Sequence, residues 1–199
     1  MSTATASPFN TKANSDEWGD YERPQPGTYP AILAALIDLG THGFVYNGQA
    51  KESRKILLAW ELAGEFDTKG NPFVIAQDFT WSLNKKAKLR GMVEGFIGRS
   101  LVDGEDYDLL TLLGQPCMVG VSEGITGSGK KFVEISSVSK PMKGLTVPPA
   151  NHEPYAFAIS MLTTAKDEIQ IPAWVPMLYG RKVADDIQKS KEYGQLPPF

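Results

Sequence analysis

Between Thr28 and Val138 the apolar residues of this 199-residue chain recur mainly at every second position. The period lengthens to a helical one only after Asn84. One helix set inside a run of strands restricts the fold to a mainly β domain with its helix between the third and fourth strands. Arg54–Ala63 alternates cleanly: Ile56, Leu58, Trp60 and Leu62 share one face, and Lys55, Leu57, Ala59 and Glu61 the other. Phe73–Leu83 reads likewise, with Phe79, Trp81 and Leu83 inward. Thr28–Leu39 is almost continuously apolar, which suits helix or strand. Its Pro26-Gly27 entry and Pro30 select a strand. Gly40–Ala50, with Gly40, Gly43 and Gly48, predicts a loop.

Asn84 predicts the N-cap of a helix running to Ser100, with Leu89, Met92, Val93, Phe96 and Ile97 on one face. Leu109–Leu113 predicts one helical turn. Cys117–Glu123 and Lys131–Val138 then form a hairpin around a glycine-rich turn. Three organisational units follow: an acidic, polar N-terminal arm (1–23), a β domain (24–142) and a proline-interrupted C-terminal extension (143–199) with a helix near 175–191. Three strands, a helix and a closing hairpin is the element order of a five-stranded OB-fold barrel. Such barrels bind oligonucleotides on the face of strands 2 and 3, between the strand 1–2 and strand 4–5 loops, here Gly40–Lys51 and Glu123–Lys131.

Composition narrows the function. Twenty Lys+Arg against 23 Asp+Glu, a net charge of -3, exclude a uniformly basic binder. The charge is uneven, however. Residues 51–99 hold nine basic and six acidic residues, and 124–150 hold four and one. A single cysteine, Cys117, excludes an internal disulfide, and two histidines, His42 and His152, leave no zinc cluster. No stretch has the length of a membrane span and the N-terminus lacks a secretory h-region, so a cytoplasmic setting is expected.

The run PGTYPAILAALIDLG, the segment SRKILLAWEL, the basic helix, LLGQPCMVGVSE and GKKFVEISSVSKP together resemble phage-encoded OB-fold single-stranded-DNA-binding proteins, over residues 24–142. That resemblance implies a replication or recombination accessory in the cytoplasm of an infected host cell.

Gly124–Lys130 imitates a phosphate-binding loop. However, Lys131 stands where the Mg²⁺-binding Ser or Thr belongs, and the flanks read as strands. Cys117 lies in an apolar strand, as an inert thiol would. No catalytic residue, metal or cofactor is expected. The binding candidates are basic and aromatic. Phe132 takes the opposite parity to Val133, Ile135 and Ser137, which puts it outside beside Lys130 and Lys131. Phe44 and Tyr46 are loop aromatics near Lys51, Arg54 and Lys55. Lys85, Lys86, Lys88 and Arg90 open the helix with no acid before Glu94. The expected partner is single-stranded DNA, with one groove shared by Phe44, Tyr46 and Phe132.

The end Pro198-Phe199 is similar to the partner-capturing tails of bacterial single-stranded-DNA-binding proteins, so replication or recombination proteins are candidate partners there. A homo-oligomer is compatible with this reading. A protein-interaction or virion-assembly module on a small β-barrel is the alternative, and a nucleotide hydrolase would need the rejected glycine loop.

Overall fold

A computed structural model describes residues 22–125, 131–177 and 181–198. The chain is mainly β. Strands β1 (Gly27–Tyr46), β2 (Gln49–Phe66) and β3 (Pro72–Thr80) are followed by helix α1 (Lys88–Ile97), a 3₁₀ turn at Leu109–Leu112, and strands β4 (Pro116–Ile125) and β5 (Lys131–Ser139). The order across the sheet is β3-β2-β1-β4-β5, all antiparallel. A short β6 (Tyr155–Phe157) adds in parallel to β1 at Ala35–Ile37. The end strands β3 and β5 approach each other, and α1 packs against both.

The inner face of this curved sheet holds the first core: Leu33, Leu58, Trp60, Phe79, Val119 and Val138 with Leu89, Val93 and Phe96 of α1. Cys117 lies in this core, and burial pushes its thiol up to about 12, against a smaller opposing effect of the Trp60 indole.

Several sequence expectations are corrected. The Gly40–Ala50 loop is instead strand. β1 and β2 continue as a ribbon closed at Asn47-Gly48, both with positive φ (50° and 73°), as a two-residue hairpin turn of type I′ requires. Asn84 does not cap α1. Its carbonyl accepts the Ala87 amide at 2.8 Å in a preceding turn, and the helix starts after Ala87. Left-handed Gly98 ends it before Ser100. β3 stops at Thr80, where the Ser82 amide turns back to the Thr80 carbonyl at 2.8 Å, so Trp81 is 40% exposed rather than inward. In β5 a bulge opposite Gly120/Val121 breaks the parity: Val133 and Ile135 pack on the core, Ser137 is exposed and Val138 is buried.

The C-terminal extension forms a second core on the outer face. Ile37, Leu39, Leu57, Ala59 and Val74 of the sheet pack with Phe157, Ile159, Leu162, Val175, Val183 and Ile187. The helix expected near 175–191 is two short helices, α2 (Val183–Gln188) and α3 (Lys191–Gly194). They are separated where the Ser190 side chain caps α3 by accepting the Tyr193 amide.

Polar clamps fasten this strap. Fully buried Glu61 accepts from the backbone and side-chain nitrogens of Asn151 (2.6 and 2.7 Å) and the His152 amide (3.0 Å), and its carboxylate meets His152 Nδ1 at 2.7 Å. The His152 ring stacks on Trp174 at 4.7 Å. At the bulge in β1, Gly40 has φ +76°. A Cβ there would overlap Ser190 and lie 2.7 Å from Ile159 Cδ1.

Two outcomes follow from the strap. Gly40→Ala combines a strained φ with overpacking and should cost about 2–5 kcal/mol. It should appear as a lower thermal midpoint and faster proteolysis within 151–198. For Glu61, burial alone would raise the carboxyl pKa, but the hydrogen bonds from Asn151 and His152 outweigh it and hold the group below its ordinary value. Its contribution is therefore complete above the unfolded carboxylate value of about 4.3 and is lost as pH falls through the lowered folded value. Urea titrations at stepped pH should show that acid limb flattened in Glu61→Gln.

Candidate nucleic-acid interface

Beyond Thr41, residues 42–46 and 49–53 pair with each other as a two-stranded ribbon standing off the sheet. Phe44 is opposite Lys51 and Tyr46 opposite Gln49. Strand parity puts Phe44, Tyr46 and Lys51 on one face, continuous along β2 with Ser53 and Lys55. Phe44, Val45 and Tyr46 are 46, 73 and 55% exposed. The Lys51 ammonium lies 4.7 Å over the Tyr46 ring.

At the foot of the ribbon, Ser53 Oγ donates to Thr80 Oγ1 at 3.2 Å, and Lys55 pairs with Asp78 at 3.3 Å. An open cleft of about 530 Å³ follows, between the end of β3 and the approach to α1. Lys55, Thr80, Ser82, Lys86 and Lys88 are among its lining residues. Lys51, Lys86 and Lys88 are exposed and make no ion pair among the described residues.

Other predicted cations are committed elsewhere. Arg54 donates to the buried carboxylate of Asp38 through Nε (3.3 Å) and Nη2 (2.7 Å), and its guanidinium lies 4.8 Å over the Trp81 ring. The Asp38 hydrogen bond raises the Arg54 pKa against the opposing effect of burial. Lys85 meets Asp103 at 2.6 Å. Arg90 is an internal brace. It contacts Glu94 at 2.8 Å and Asp103 at 3.5 Å, and donates to the carbonyls of Leu83 and Leu101. The hydrogen bond to Glu94 raises its pKa against desolvation.

Phe132 is 38% exposed, its ring lying over Gly124, its partner across the hairpin. Gly124 lies beyond Val121, which pairs with Gly27 at the start of β1, whereas Phe44 and Tyr46 end the same strand. Phe132 is therefore at the opposite end of the sheet from the ribbon, and the three aromatics do not line one groove. Between them, the central outer face of β1–β3 is covered by the second core. Lys130 and the side chain of Lys131 lie outside the described residues, as do residues 126–129 of the glycine loop and Phe199. The strands flanking the glycine loop pair as an antiparallel hairpin.

Trp81, expected inward, is instead exposed beside Arg54, on the face of β2 opposite Ser53 and Lys55 and outside the cleft lining. Its amide donates to the Arg54 carbonyl at 2.8 Å. Among the described residues no group of His, Cys, Asp and Glu has a metal-binding arrangement, and no helix is long and apolar enough to cross a membrane.

These assignments separate two neighbouring cations. Arg90→Ala should lower the thermal midpoint clearly, because it leaves the Leu83 and Leu101 carbonyls without that donor and removes the Glu94 ion pair. Lys88→Ala, on the exposed side, should leave the midpoint near that of the wild type. Thermal melts of the two variants side by side check this.

No protein-family model, curated protein or solved structure matches the chain.

Proposed function

We propose that the chain is a sequence-tolerant, non-catalytic single-stranded-DNA-binding protein built on an OB-type barrel, and that it serves phage DNA replication or recombination. The strand order β3-β2-β1-β4-β5, the approach of β3 to β5 and the helix between β3 and β4 support the barrel reading. The biological setting follows from the family resemblance of residues 24–142.

The observation that carries the binding reading is the unbroken track along β2. Phe44, Tyr46 and Lys51 lead through Ser53 and Lys55 to a cleft bearing Lys86 and Lys88. Exposed rings beside unpaired ammonium groups suit bases and phosphates in alternation. Every base has a π-face, and stacking needs no sequence. Lysines supply phosphate contacts through counterion release.

A second reading has its own observation. Val45 is exposed on the ribbon face opposite Phe44 and Tyr46, so the tip is apolar on both sides, as a protein-docking arm would be.

Fluorescence anisotropy with labelled oligo-dT between about 50 and 300 mM salt distinguishes the two. With three or four phosphates neutralised, the log–log slope should lie between about -2 and -3. Removing both Lys86 and Lys88 should make it shallower by about 1.4. Phe44→Ala with Tyr46→Ala should weaken binding at every salt concentration with little change in slope. Absence of oligonucleotide binding at low salt would sink the DNA reading and leave the protein-docking arm.

A further inference from the structure

We infer that the outer edge of β1 in the ribbon, around Phe44, pairs antiparallel with the same edge of a second copy of this chain. The pairing does not depend on the single-stranded-DNA reading; only its consequence for the binding track does. A two-residue turn is closed by a pair, here Tyr46 and Gln49, that exchanges both its backbone hydrogen bonds. Alternation then turns the amides and carbonyls of Tyr46, Phe44 and His42 towards β2, and those of Val45, Gly43 and Thr41 outward. Neighbouring contacts agree with that alternation. The Thr41 amide donates outward to Glu192 at 2.7 Å, and on the other strand the Arg54 carbonyl accepts outward from the Trp81 amide at 2.8 Å. β4 and β6 pair with β1 no further than Ile37, and the outward groups of Gly43 and Val45 meet no partner among the described residues.

This edge also lacks protection. Free edges are normally blunted by charge, proline or a bulge. Residues 42–46 contain no Lys, Arg, Asp, Glu or Pro, and the register shifts of β1 lie before them. Phe44, Val45 and Tyr46 are all exposed. The other edge of the ribbon carries Lys51 and Glu52, the latter paired with Lys191 at 2.7 Å.

The edge is complementary to itself. With a two-fold axis at Phe44, Gly43 of each copy meets Val45 of the other, and each such pair exchanges both hydrogen bonds. That register uses every free outward group of Gly43 and Val45, whereas the Thr41 amide is already taken. The side chains fit as well. A shallow hollow of about 510 Å³ has Gly43, Val45, Ala50 and Glu52 among its lining residues. A Cβ at Gly43 would have nothing nearer than the Lys51 carbonyl at 4.0 Å, so the glycine leaves room that Val45 of the second copy fills. The two Lys51 residues stay roughly 14 Å apart, three strand spacings, so no like charges face each other at the contact. Edges of this length bury less than the ~1,200 Å² of a stable interface, which makes the association weak in free protein. On the DNA reading, the joined sheet carries Phe44 and Tyr46 of both copies on one face, and a strand lying across both copies strengthens their contact.

The test uses the full chain without DNA. Sedimentation velocity between about 5 and 500 μM covers the range of a weak dimer. Wild type should shift from monomer towards dimer. Val45→Pro and Ala50→Pro each remove an outward N–H, one on each edge of the ribbon, and no hydrogen bond within it. Val45→Pro should stay monomeric throughout, Ala50→Pro should associate like wild type, and thermal melts check both folds. Phe44→Cys reads the register without altering the backbone. Residues 44 of the two copies form a non-hydrogen-bonded pair with Cα atoms about 4.5 Å apart, within disulfide reach. Mild oxidation of Phe44→Cys should give a covalent dimer, and Tyr46→Cys, away from the axis, much less. Cys117 is buried and takes no part. A wild type that stays monomeric at the highest concentration, association that survives Val45→Pro, or equal cross-linking from positions 44 and 46 overturns the inference and leaves the DNA reading standing. Failure to bind oligo-dT, with self-association intact, overturns the DNA reading alone.

Discussion

The central strands of this sheet are apolar on both faces, and both faces must be covered. Ala31–Ile37 is buried without interruption, and on β2 Ile56–Ala63 is buried residue by residue. One set of side chains fills the interior beneath α1. The other set has only the chain beyond residue 150 to meet it. The ring and aliphatic side chains of Phe157, Ile159, Leu162, Val175, Val183 and Ile187 do so. Each such side chain, fully buried, contributes about 1.5–3 kcal/mol, so the strap is an integral layer of the fold rather than an appendage. Glu61 shows how binding the strap is. A fully buried carboxylate is tolerable only with its hydrogen bonds made, and Asn151 and His152 supply them from the strap.

That covering layer decides where a ligand can go. On an OB-type barrel the outer face of strands 2 and 3 is the expected ligand surface. Here Leu57, Ala59 and Val74 on that face are sealed beneath the C-terminal residues. What stays open is the periphery: the ribbon at the end of β1 and β2, and the cleft where β3 gives way to α1. Unusually long β1 and β2 strands therefore have a physical purpose in the proposed function, since they carry aromatic rings beyond the edge of the strap. The strap also braces the foot of the ribbon. Glu192 accepts from the Thr41 amide and hydroxyl at 2.7 and 2.6 Å, and Lys191 pairs with Glu52 at 2.7 Å. Burial pushes the Glu192 carboxyl up, but the hydrogen bonds from the Thr41 hydroxyl and amide together outweigh it and hold the group below its ordinary range.

Much of the sheet is legible in the residues because alternation reports a half-buried strand directly. β2, β3, β4 and β5 follow from it, as does the helix in the one stretch of helical period. The second core was written in a less familiar form. The lack of alternation in AILAALIDL, ambiguous between helix and strand, is what a strand covered on both faces looks like. It implies a covering layer, and only the proline-broken segment after residue 143 could supply one. The ribbon was missed because three glycines outweighed Asn47-Gly48, itself a strong hairpin signal. Bulges are harder. One at Ser136 shifts the face of everything after it, and parity arguments from either side cannot detect it.

Segment charge is a poorer guide still, because it counts cations without asking what holds them. The basic start of α1 and the acidic loop at 103–108 look like separate patches in the sequence. In space Asp103 faces Lys85 and Arg90, and Arg90 becomes a brace. Arg54 is spent on Asp38 and on the ring of Trp81. The cations left without an ion pair on the track, Lys51, Lys86 and Lys88, are fewer than the local charge suggests. The proposed binding thus has two physically separate parts. Lysine contacts release counterions and fade as salt rises, while stacking on Phe44 and Tyr46 buries ring surface and is nearly blind to salt. A protein of net charge -3 gains from that division. With few free cations, the proposed hold on a strand at moderate ionic strength rests mainly on the rings.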